Sequence, residues 1–110
     1  MAGKFEIYKS EKNDDYYFRL KASNGEVVLT SQGYSDKSGA KNGVESVVKN
    51  AGDESNFESK ESSNEKYYFN LKAKNGQIIG SSQMYKSIAG RDNGISSIAR
   101  AADGAKVDEI

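Results

Sequence analysis

Two matched sets of side chains carry most of the chemistry available to this chain. Tyr17, Arg19, Lys21, Thr30 and Gln32 fall at alternating places in one stretch. Tyr68, Asn70, Lys72, Ser81 and Gln83 take the corresponding places in another. Rings and cations on one face of an open sheet can stack bases and hold phosphates, as single-strand nucleic-acid binders do. The same residue types also serve plain cross-strand packing on any solvated sheet. Lys plus Arg and Asp plus Glu stand at 16 each, and no glycine-aromatic RNA signature is present, so the plainer account is preferred. Tyr17, Arg19, Lys21, Gln32, Tyr68, Asn70, Lys72 and Gln83 remain the candidate binding face.

A second repeated set is polar: Ser31, Gln32, Tyr34, Asn42 and Ser46, matched by Ser82, Gln83, Tyr85, Asn93 and Ser97. It can line a small pocket at the sheet end or satisfy backbone groups at a strand-to-helix turn, and the second reading is favoured. Catalysis finds little material. Histidine and cysteine are absent, which removes the usual general base near neutral pH, the commonest metal ligand, a thiol nucleophile and any disulfide. Asp14-Asp15 lacks the spacing of a calcium loop, and its copy, Asn64-Glu65, does not preserve it. The acidic residues are expected at wet or loop positions, where a carboxyl does no acid–base work. No catalytic, cofactor or metal residues are expected, and the chain is not expected to be an enzyme.

What positions these residues is an internal copy. Displaced by 51 positions, Tyr16–Gly52 matches Tyr67–Asp103 with sixteen of 37 pairs identical, which is too many for chance and too few copies for a solenoid. Two copies suggest a pseudo-symmetric pair, as though a homodimer had been fused. Tyr16, Phe18, Leu20 and Ala22 alternate with Tyr17, Arg19 and Lys21, the period of a half-buried strand. Asn24-Gly25 and Asn75-Gly76 then predict two-residue hairpin turns. That register places Leu20 opposite Leu29, Lys21 opposite Val28, and Tyr17 opposite Gln32, with Tyr68 opposite Gln83. The core face takes Phe18, Leu20, Ala22, Val27 and Leu29, and the outer face takes Val28.

Beyond Tyr34 the period becomes helical. Val44, Val47, Val48 and Ala51 form one stripe, repeated by Ile95, Ile98, Ala99 and Ala102. Asp36 and Ser87 suit the N-caps, and Gly52 and Gly104 the C-terminal ends. Gly39, Gly43, Gly90 and Gly94 sit inside the helices, where each costs about 1 kcal/mol, so a close approach of helix to sheet is expected. Lys4–Lys9, Asn56–Lys60 and Lys106–Ile110 read as further strands. One unit of about 50 residues makes too thin a layer pair, and a copy in the same sheet would bury what it leaves exposed.

The order F-E-x-x-K, Y-Y-F-x-L-K-A-x-N-G, S-S-Q-M-Y and N-G-I-x-S-I is carried by Phe57–Glu58, Tyr67–Gly76, Ser81–Tyr85 and Asn93–Ile98. It resembles the YegP-like family, small bacterial proteins classed as a domain of unknown function. The resemblance implies β3-α-β units joined in one sheet with exchanged C-terminal strands, and has Asn56–Lys60 close unit one while opening unit two. It lends no catalytic residues. The expected fold is α+β: two tandem β3-α-β repeats, about 3–55 and 56–110 of a single pseudo-symmetric domain 1–110. They form one mostly antiparallel sheet with two helices on one face.

No apolar run reaches the roughly 18 residues of a membrane span and no signal-like segment opens the chain, so a cytoplasmic protein is expected, and a monomer because the internal copy already fills the dimer role. The expected function is non-enzymatic binding through the open sheet face or an edge strand. The alternative is a weak single-stranded nucleic-acid binder using Tyr17, Arg19, Tyr68 and Lys72. An enzyme would instead require a concave pocket holding a carboxylate of raised pKa.

Overall fold

The structure, a computed structural model, describes residues 3–110. The chain runs β1 (Lys4–Lys9), β2 (Tyr16–Lys21), β3 (Val27–Ser31), α1 (Lys37–Asn50), β4 (Phe57–Glu61), β5 (Tyr67–Lys72), β6 (Ile78–Ser81), α2 (Ile88–Ala102) and β7 (Lys106–Glu109). All seven strands join one sheet in the order β4-β5-β6-β3-β2-β1-β7. Every pairing is antiparallel except β1 with β7.

The copies meet at the middle, where Thr30 of β3 pairs with Ser81 of β6, its own counterpart. A pseudo-twofold axis therefore passes between these two residues. Next to it the symmetry is broken on purpose of packing: Leu29 is fully buried and its counterpart is Gly80. A Cβ at Gly80 would sit 2.9 Å from the Thr30 carbonyl oxygen and 3.1 Å from Leu29 Cγ. One large side chain fills the space two would contest.

Asn-Gly makes the hairpins, though with a longer loop than expected. The Gly25 N–H donates to the Ala22 carbonyl and the Ala22 N–H to the Glu26 carbonyl, both at 2.9 Å, which leaves Ser23-Asn24-Gly25 as a three-residue loop. Gly25 lies at φ 87°, the left-handed residue that closes such a turn. The register near the turn is therefore shifted by one, and Lys21 pairs with Val27. A bulge at Val28 shifts it back, so Leu20 still faces Leu29 and Arg19 faces Thr30. Val27 thus shares the outer side with Lys21 while Val28 enters the core, the reverse of the expected placement. The second copy repeats both shifts, with Ile78 exposed and Ile79 buried. Tyr17 does not pair with Gln32: the ladder ends at Arg19, and the Phe18 N–H turns to Ser31 Oγ at 2.9 Å. Phe69 does the same with Ser82 Oγ at 3.0 Å, so Tyr68 likewise does not pair with Gln83.

Both helices cover the face that carries Phe5, Ile7, Phe18, Leu20, Leu29, Phe69 and Leu71, and one continuous cluster includes residues of both copies. Each helix also reaches the other copy's hairpin, α1 over β5 and β6, and α2 over β2 and β3. Asp36 Oδ1 accepts from the Gly39 N–H at 2.7 Å and Ser87 Oγ from the Gly90 N–H at 3.0 Å, closing the expected N-caps. Gly104 ends α2 at φ 72°, whereas Gly52 adopts no such left-handed conformation after α1. The expected apolar stripe is shifted too, because Val48 is 53% exposed and Ala40 takes its place inside. Gly43 and Gly94 do permit close approach. A Cβ there would lie 2.5 Å from the Tyr34 hydroxyl and 2.3 Å from that of Tyr85, respectively. Each ring is wedged between a helix backbone and a phenylalanine, Phe18 at 6.3 Å or Phe69 at 6.2 Å between centroids.

Strand exchange runs one way only. After α2 the chain adds β7 beside β1 of the first copy. After α1 it enters a 3-10 turn and then β4, which pairs with β5 alone at the opposite rim. The strand after α1 therefore opens unit two without closing unit one, because a segment cannot be both β4 and the strand added alongside it.

Candidate functional site

The outer face gathers the candidate residues into two groups, parted by the central strands β3 and β6. In the first group everything converges on Glu6, which is 5% exposed on β1 directly across from Arg19. Its carboxylate takes Arg19 Nε at 2.7 Å, Lys21 Nζ at 3.2 Å and Lys4 Nζ at 3.4 Å. The Arg19 hydrogen bond, reinforced by Lys21 and Lys4, holds its pKa down at about 2 against a usual 4.5. A buried acid was not expected from the sequence, and its ionised state makes it a structural anchor at neutral pH. The Arg19 guanidinium also covers the Tyr8 ring at 4.9 Å, and Tyr8 stacks on Tyr17 at 6.0 Å.

The second group is a weaker copy. Glu58 replaces Glu6 and holds Lys72 Nζ at 3.0 Å and Lys60 Nζ at 3.6 Å. Asn70 stands where Arg19 does, is buried, and accepts from Ser81 Oγ at 2.6 Å. Tyr68 is half-buried on this side, while Gln32 and Gln83 lie exposed beyond the strand ends around a hollow over the central seam. Arg19, Lys21 and Lys72 thus spend their charge on acids of the same sheet. The Tyr8–Glu6 part of this arrangement was missed, although F-E-I-Y in β1 carries the alternation that places both residues outward.

The repeated polar residues have a different outcome. Gln32, Tyr34, Asn42 and Ser46 line a groove of about 810 Å³ between α1 and the β5–β6 hairpin, with Asn75, Gln77 and Ile79 on its far wall. Among the described residues no charged side chain lines it. Burial pushes the Tyr34 hydroxyl pKa up, so it stays a neutral phenol. Ser31 and Ser82 serve the other expected role, satisfying the Phe18 and Phe69 N–H groups. Asp14 and Glu65 both adopt left-handed φ, 59° and 65°, which gives this pair a turn-forming role. Among the described residues no cluster of three acidic side chains could hold a metal ion, and no helix is long and apolar enough to cross a membrane.

The feature with most binding potential lies at the rim. Beside β4, the side chains of Phe57 and Ser59 face Asp92, Ile95 and Ser96 of α2 across a cavity of about 400 Å³. It exists because Ser59 stands where β1 has the buried Ile7. Phe69 turns its N–H to Ser82 Oγ and its carbonyl to the Ser82 N–H. Its antiparallel partner Ser59 therefore points both backbone groups out of the sheet. In the first copy Ile7 occupies that position, and its carbonyl accepts from the Ile110 N–H at 2.9 Å as β7 runs alongside. Lys37 and Lys41 of α1 clasp Glu109 of that strand, each at 3.1 Å, and lower its pKa. Among the described residues the same rim is occupied in copy one and open in copy two. No sequence motif marks it, but the exchange of Ile7 for Ser59 and of Lys41 for Asp92 between otherwise matched copies is a legible trace.

Fold and rims together define a class: small α+β tandem-repeat proteins in which two β3-α units share one sheet and a terminal strand crosses between them. The chain belongs to the DUF1508 family, a domain of unknown function, whose pattern matches residues 11–58 and again 62–109. It is 54% identical over 110 residues, all of this chain and 98% of the relative, to a UPF0339 protein of Stutzerimonas stutzeri encoded in the 5′ region of the ptx operon. The solution NMR structure of a UPF0339 protein from Shewanella oneidensis matches with a TM-score of 0.91 at 50% identity, covering 99% of this chain and 92% of that one. That of the Escherichia coli protein of unknown function yegP matches with a TM-score of 0.92 at 47% identity, covering 99% and 93%. The YegP-like resemblance and its fold are thereby shown, and these relatives are themselves functionally uncharacterised.

Proposed function

We propose that this protein is a non-enzymatic interaction module, a monomer that receives an extended peptide segment as an added strand along β4. The observation that carries the reading is internal: β7 already docks in this manner on β1, while the equivalent rim of β4 presents the outward backbone groups of Ser59 beside a side-chain cavity. Main-chain pairing supplies affinity in strand addition, and pockets for alternate side chains supply selectivity. Two further features favour a peptide over nucleic acid or substrate. The outer-face cations Arg19, Lys21 and Lys72 are engaged by Glu6 and Glu58. The carboxyls with shifted pKa (Glu6, Asp53, Glu58 and Glu109) are all shifted downward, the wrong direction for a general acid.

A linear peptide display library separates the possibilities. Wild-type protein should enrich binders whose affinity is lost in Ser59→Pro, which removes the outward donor on an edge strand where proline is tolerated. Binders unaffected by that change would contradict the reading. Salt-sensitive oligonucleotide binding that tracks Tyr17, Arg19, Tyr68 and Lys72 would return the nucleic-acid alternative to first place.

A further inference from the structure

The two rims differ in charge, and the difference specifies the occupant. Beside β1 the helix-side residues are Lys9, Lys37 and Lys41; their counterparts beside β4 are Glu61, Ile88 and Asp92. The strand on β1 answers the first set with Glu109, held by Lys37 Nζ and Lys41 Nζ at 3.1 Å each. A strand seated in the same way on β4 would bring its equivalent residue next to Ser59 and toward Asp92. Building on the strand-docking reading, we infer that the β4 rim selects an extended segment bearing Lys or Arg at this position and rejects the chain's own C-terminal strand.

Shape supports the same residue types. With Ser59 in place of Ile7, the cavity is walled by Phe57 and Ile95 and rimmed by Asp92. A Lys or Arg stem can lie along the apolar walls while its cationic head reaches the carboxylate. Arg91 is the competing cation, with Nε 3.5 Å from Asp92 Oδ1. Its side chain is only 15% exposed and its guanidinium lies 5.8 Å from the Tyr67 ring centroid, whereas the Asp92 side chain is 60% exposed. An arriving strand therefore meets the carboxylate. Rejection of Glu109 has its own consequence. A chain whose β7 fitted its neighbour's β4 would form a head-to-tail contact that need not close, the geometry of filaments. Charge inversion at one rim blocks that path.

Two capped hexapeptides test the inference: the Ala105–Ile110 sequence, and the same sequence with E109K. Each is titrated to millimolar concentration into the isotope-labelled full-length protein while amide shifts of 57–61 and 88–96 are followed by NMR. The wild-type protein should prefer the E109K peptide by about two- to five-fold, the size an exposed ion pair gives. The I88K/D92K variant, which restores the counterparts of Lys37 and Lys41, should prefer the unmodified peptide. Both peptides shifting the β4 amides equally in both proteins would overturn the charge inference and leave strand docking standing. No β4 shift with either peptide in either protein would overturn both.

Discussion

Glu6 shows how much of the outer face is structural. Its pKa is depressed to about 2 from 4.5 by Arg19, Lys21 and Lys4, so the stabilisation it gives is complete above pH 4.5 and fades as pH falls toward 2. Acid titration of unfolding should show a loss on the order of 2 kcal/mol across that window, and Glu6→Gln should flatten it. The residue was not legible as an anchor because its three partners come from β1 itself and from a strand a dozen residues away, and only the register brings them together. The helix glycines make a second residue-scale case. Gly43→Ala drives a methyl group into the Tyr34 hydroxyl and Phe18 Cε2, at 2.5 and 2.6 Å, and should cost about 1–3 kcal/mol in chemical denaturation. That role was legible, since retention of a costly glycine at the same helix position in both copies already pointed to a close neighbour.

At the element scale, periodicity marks β2, β5 and both helices, the remaining strands are legible only as short stretches between them, and the turn deceives. Asn-Gly at a hairpin tip normally signals two residues, but here Asn24 Oδ1 accepts from the Glu26 N–H at 3.0 Å and Ser23 joins the loop. A lone hairpin would then carry its whole inner face outward. The bulge at Val28 restores the register, and nothing in V-V-L distinguishes which valine is the extra one. β7 is the other lesson. Its residues are all exposed, so no apolar pattern announces where it docks, and its place is fixed by pairing with β1 and by Lys4, Lys37 and Lys41. K37A/K41A should loosen this strand: amide exchange at Ile110, whose N–H bonds Ile7, should accelerate several-fold while the β2 amides remain unchanged. Equal acceleration throughout the sheet would mean the lysines hold something larger than one strand.

For the molecule as a whole, a single cluster contains residues from both copies, and each helix spans onto the other copy's hairpin. Unfolding should therefore be one transition, coincident by far-ultraviolet dichroism and by tyrosine fluorescence, since neither copy retains a core alone. Light scattering should give the mass of one chain at micromolar concentration, because the charge at the β4 rim turns away the strand that would link copies. Everything about function depends on two equivalent rims in different states, Ile7 covered and Ser59 uncovered. Amide hydrogen exchange measures this most directly. Ile7, lying under β7, should exchange at least about a hundred-fold more slowly than Ser59 under native conditions. Comparable protection at the two positions would show that the β4 rim is already occupied, and the proposed docking site would not exist.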